Sequence, residues 1–121
     1  MQSALIRSSL VAFALTLASA AHAETPDVAQ AMTEGKRLYR AHEPGAGLEQ
    51  FQQAEEVASS IRDRAYALMA QGACLVELDR NDDAKHVFEE AWALRASAKI
   101  PFKTSRKVMA EVTRLKRPKG V

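Results

Sequence analysis

No stretch of this chain alternates apolar and polar residues in the strict order that a half-buried strand requires. Between its prolines run long segments rich in Ala, Glu, Gln, Leu, Arg and Lys, which are good helix formers. Pro26, Pro44, Pro101 and Pro118 punctuate them. The pattern predicts helices over 27–41, 47–59, 61–78 and 82–96, and a fifth over 102–115. In the last of these, Phe102, Val108, Met109, Val112 and Leu115 form an apolar stripe, with Lys103, Arg106, Lys107 and Arg114 largely elsewhere. Loops this short turn neighbouring helices antiparallel, so the expected class is all-α.

The first 23 positions stand apart from this domain. A short start with one positive charge (Arg7) precedes the apolar run LVAFALTLASAA, and Ala21-His22-Ala23 has the small-x-small form of a cleavage site. That is the layout of a secretory signal, and the run is well short of the roughly 20 residues a membrane-spanning helix needs. The division expected is a cleaved signal peptide (1–23), a helical domain (24–115) and a basic flexible tail (116–121), with the mature chain exported, periplasmic and soluble. Cys74 is the only cysteine, so an internal disulfide is impossible and stability must come from a core.

Charge changes the picture when it is read by segment. Positions 24–94 hold seven Lys or Arg against fourteen Asp or Glu, whereas 95–121 hold nine basic residues and one acid, Glu111. An acidic body therefore carries a basic C-terminus. Nucleic acid is not an expected partner for an exported chain.

The chain also repeats itself. Gly35, Gly47, Phe51 and Ala54 recur 37 residues later as Gly72, Ala84, Phe88 and Ala91. Both copies read G-x11-[GA]-x3-F-x2-A. Small residues are needed where two antiparallel helices cross closely, and the Phe one turn further on fills the space beside the crossing. With Ala65 and Leu94 added, the second copy resembles the tetratricopeptide repeat. Leu68 stands near the position of that family's large aromatic, and the period is slightly longer than its usual 34 or so. The resemblance implies two antiparallel hairpins and a C-terminal capping helix, a short α-solenoid.

One acidic stretch invites another reading. DRNDDAKHVFEE matches a calcium-loop pattern at Asp79, Asn81, Asp83 and Glu90, but its sixth position is Ala84 where the loop needs Gly for a sharp turn. The repeat explains that Ala as well as the acids: Asp82 and Asp83 open a helix, where carboxylates meet orphan N–H groups and the helix dipole. His42, His86 and Cys74 lack metal-ligand spacing, and Cys74 is expected to be a buried, inert thiol. No grouping for nucleophilic or acid–base catalysis is visible. The expectation is no enzyme, no cofactor and no metal.

In the family that the chain resembles, the first helix of each repeat lines a concave face holding a partner segment. Carried over, that face consists of Met32, Lys36, Tyr39 and Arg40, then Tyr66, Met69, Ala73, Val76 and Glu77. Met69 and Val76 suit the core equally well. A basic patch of Lys103, Arg106, Lys107, Arg114, Lys116, Arg117 and Lys119 would serve either as a solvated cap or as a surface for an anionic partner. The reading is an exported adaptor for a protein or peptide of the cell envelope. Its alternative is a self-assembling envelope protein, a homo-oligomer in which acidic body meets basic tail.

Overall fold

The computed structural model describes residues 27–116; the signal-like segment, Arg117 and Lys119 lie outside the described residues. Five helices follow one another: α1 (Val28–Arg40), α2 (Pro44–Val57), α3 (Ile61–Glu77), α4 (Asn81–Leu94) and α5 (Arg106–Lys116). Among the described residues there is no strand. Consecutive helices pack from α1 to α4, α3 also meets α1, and α5 folds back onto α3. The architecture is all-α and solenoid-like, two helical hairpins closed by a fifth helix. Among the described residues no helix is long and apolar enough to cross a membrane.

Local chemistry accounts for most boundaries. The Asp27 side chain accepts from the Ala29 N–H at 3.1 Å, and Ser60 Oγ accepts from the Asp63 N–H at 3.0 Å, so α1 and α3 are each capped. Helix α2 begins at Pro44, three residues before the sequence reading placed it. Proline is well suited to a first helical position, where no intrahelical partner for an N–H exists. Helix α4 starts with Asp82 and Asp83 in its first turn, as expected from the dipole. No side chain caps it, however; Asp83 accepts instead from Arg80 Nε at 2.9 Å.

The 37-residue repeat extends to the backbone. His42 (φ 62°) and Asp79 (φ 60°) are the two described non-glycine residues in the left-handed region. Each follows the end of the first helix of a hairpin. The N–H groups of Glu43 and Arg80 reach back to the carbonyls of Leu38 and Leu75 at 2.9 and 2.8 Å. Those of His42 and Asp79 reach Tyr39 and Val76 at 3.1 and 3.0 Å. Both ends are thus Schellman motifs, which satisfy carbonyls that the helix alone leaves orphaned.

The helix crossings are as close as the small residues suggest. A Cβ added at Gly47 would lie 3.2 Å from the Gly35 carbonyl oxygen and 3.5 Å from Cys74 Sγ. Phe51 and Phe88 fill the space beside Gly35 and Gly72, and both rings are fully buried. Gln71 is the buried polar side chain. Its amide donates to Glu55 Oε1 at 2.8 Å and to the Phe51 carbonyl at 3.4 Å, tying α3 to α2.

The largest departure from the sequence reading lies after α4. The fifth helix starts at Arg106, and the chain from Arg95 to Ser105 is irregular. Phe102 is therefore not the first residue of the helical stripe. It is held outside the helix, 5.0 Å from the Tyr39 ring and stacked on Phe51 at 5.6 Å. The Ser105 hydroxyl, accepting from the Val108 N–H at 3.3 Å, sets the true start of α5.

Candidate partner-binding face

Helices α1 and α3 carry the nine groove residues, and these do not form one surface. Met32, Lys36, Tyr39, Tyr66 and Glu77 are half-buried and Arg40 is exposed. Met69, Ala73 and Val76 are fully buried and belong to the same core cluster as Ala98 and Val108. For these three the structure decides against an accessible groove and for the core. The chain after α4 returns over α3, and its Ala98 and Val108 join the same buried cluster.

The returning segment crosses α1 as well. The Trp92 indole donates to the Ala98 carbonyl at 3.1 Å, and Ala98 is buried. Pro101 then stands beside Met32 and Lys36, and Phe102 packs on Tyr39. The Tyr39 hydroxyl donates to Glu77 Oε2 at 2.6 Å. Burial first, and the Glu77 carboxylate second, push the Tyr39 phenol up to about 12. Thr104 Oγ1 is buried with no hydrogen-bond partner among the described residues.

Two of the hollows among the described residues lie on this side. The larger, of about 280 Å³, lies between the starts of α1 and α3 and is lined by Asp27, Val28, Met32, Lys36, Asp63, Tyr66 and Pro101 among others. The smaller, of about 220 Å³, is bounded by Tyr39, His42, Pro44 and Glu77. Tyr66 carries an arrangement that spacing alone did not reveal: the Arg62 guanidinium lies 5.5 Å from its ring centroid and that of Arg95 lies 6.0 Å away. Arg62, one turn earlier on α3, was within reach of a sequence argument. Arg95, from the far end of α4, was not.

Among the described residues the basic patch is partly engaged. Lys103 and Arg106 are exposed, Lys107 pairs with Asp79, and Arg114 pairs with Glu111. Lys116 Nζ sits 5.7 Å from the centre of the Trp92 ring. The calcium-loop reading fails on geometry. Asp79 sits at the left-handed turn facing Lys107, while Asn81, Asp83 and Glu90 lie along helix α4. Among the described residues no three His, Cys, Asp or Glu side chains converge on a point that would hold a metal. Cys74 is free and buried, and its thiol is pushed up to about 12 by burial and then by the Glu77 charge, which leaves it protonated and inert at neutral pH.

No family model matches the sequence, and neither a curated protein nor a solved structure matches it.

Proposed function

We propose that this chain is an exported adaptor of the tetratricopeptide kind, holding a segment of another cell-envelope protein on the side formed by α1 and α3. The observation that carries this reading is the hollow of about 280 Å³ in which Met32, Lys36 and Tyr66 meet from two different helices. Apolar groups, an aromatic ring and a few charges lining one hollow are what a short peptide side chain needs for affinity and orientation. The 37-residue repetition of helix ends and crossings supports the family comparison, because it concerns backbone bonding as well as residue type. The signal-like N-terminus supports the envelope as the compartment.

A photo-crosslinking amino acid placed at Lys36 or Tyr66 in the full-length chain tests this in intact cells. A discrete adduct with one envelope protein is expected at both positions and not at Gln53, which is exposed on α2. Crosslinks only between copies of the chain would overturn the adaptor reading in favour of self-assembly. Equal, diffuse labelling at all three positions would remove the proposed face.

A further inference from the structure

We infer that the irregular segment from Ala98 to Thr104 is an internal occupant of the binding face, and that the partner is an extended segment of the same chemistry that displaces it. The inference rests on the adaptor reading and says what the face recognises: an apolar residue, a proline and an aromatic in succession, flanked by lysines.

The segment reads Ala-Lys-Ile-Pro-Phe-Lys-Thr. Pro101 closes one side of the hollow at Met32, Lys36 and Tyr66, and Phe102 packs against Tyr39 and Phe51 further along α1. Charge complements it. Lys99 and Lys103 are exposed on the segment, while Asp27 and Asp63 line the hollow and Glu77 lines its smaller neighbour. Proline before an aromatic suits such an occupant, because a restricted backbone loses less freedom on docking.

Side chains, rather than backbone, hold the segment. Its polar ties are few: the Ala98 N–H donates to the Arg95 carbonyl at 2.9 Å and the Ala98 carbonyl accepts from Trp92. No backbone–backbone hydrogen bond is made by the amides of residues 99–104 among the described residues. The orphaned Thr104 hydroxyl adds a cost to the closed state that an opened segment relieves in water. A stretch with few anchors and an unpaired backbone opens locally at a free energy below that of the packed helices around it. Its tether nevertheless keeps it at an effective concentration on the order of millimolar, so a competing segment must exceed that.

The test uses a capped synthetic peptide of sequence ASAKIPFKTSR, which spans positions 96–106, with Trp92 fluorescence as the readout; Trp92 is the single tryptophan and touches the segment directly. The peptide is expected to bind the Phe102→Ala protein at least about ten-fold more tightly than the wild type, whose own segment competes. A peptide with Ala in place of the Phe should not bind. Circular dichroism establishes that the variant is folded, and Phe102→Leu replaces it if it is not. In the unaltered protein, amide exchange at 99–104 should be at least about a hundred-fold faster than at the middle of α3. Equal affinity of the peptide for variant and wild type, or exchange at 99–104 as slow as in α3, overturns the inference. Peptide binding without any crosslink at Lys36 would sink the adaptor reading alone, and the reverse result would sink only the displaceable segment.

Discussion

Phe51 occupies the space that a side chain at Gly35 would need. A Cβ on Gly35 would come within 2.4 Å of Phe51 Cε1, and one on Gly72 within 2.2 Å of Phe88 Cε1. Each ring is fully buried and cannot swing aside without opening the crossing between the helices of its hairpin. Replacing either glycine by alanine would raise helix propensity by up to about 1 kcal/mol. Overpacking costs about 1–3 kcal/mol and outweighs it. Gly35→Ala and Gly72→Ala should therefore both lower Tm, and adding Phe88→Leu to Gly72→Ala should recover part of the loss. A rise in Tm for either single change would refute the close crossing.

The two left-handed residues lead to a gain instead. His42→Gly removes the steric penalty of a Cβ in that conformation, about 1 kcal/mol, and the Schellman bonds do not depend on its side chain. Urea denaturation should show a higher midpoint with an unchanged slope. Asp79→Gly should gain less, because it also deletes the exposed pair with Lys107, worth between zero and about 1 kcal/mol.

Alkaline pH should weaken the fold through two buried groups. Tyr39 and Cys74 both have folded pKa values raised to about 12, above ordinary values of 10 and 9. Between the unfolded and folded values the native state holds the proton more tightly, so stability is complete below about pH 9 and declines from there towards pH 12. Cys74→Ala should flatten the decline that begins near pH 9, and Tyr39→Phe the part beginning near pH 10. Thermal melts of the three proteins from pH 8 to 11 give the comparison. A wild-type slope shared unchanged by both variants would assign the loss to other groups.

Ending the chain before Phe102 removes the residues stacked on Tyr39 and Phe51, together with Val108 and all of α5. The core cluster that holds Met69, Ala73 and Val76 would lose Val108 and the packing of Phe102, Val112 and Leu115 against it. The shortened protein should bind a hydrophobic dye, lose near-ultraviolet dichroism and aggregate, while retaining much of its helical signal. Ending it after Lys116 leaves every described contact in place and should change stability by no more than about 0.5 kcal/mol, as for exposed charges generally. A folded, monomeric product of the shorter truncation would mean that the two hairpins suffice alone.

What the amino-acid order determined by itself is everything that depends on near neighbours. Helix propensity and proline positions located all five helices, and the recurrence of Gly35 and Phe51 as Gly72 and Phe88 exposed the two crossings. In each case the interacting residues lie within one hairpin, so spacing carries the information. The second helix start lies earlier than the pattern places it because Pro44, which punctuates the helix-forming segments, serves equally at a first helical position. The irregular run after α4 escaped for a different reason. Phe102 fits the apolar period of α5, and only packing on Tyr39 and Phe51 draws it out of that helix. Met69 and Val76 could not be divided between groove and core from the sequence, since periodicity says which side of a helix is apolar and not what covers it. That cover, the Lys107 pair with Asp79 and the two arginines around Tyr66 all join positions brought together only by the tertiary fold.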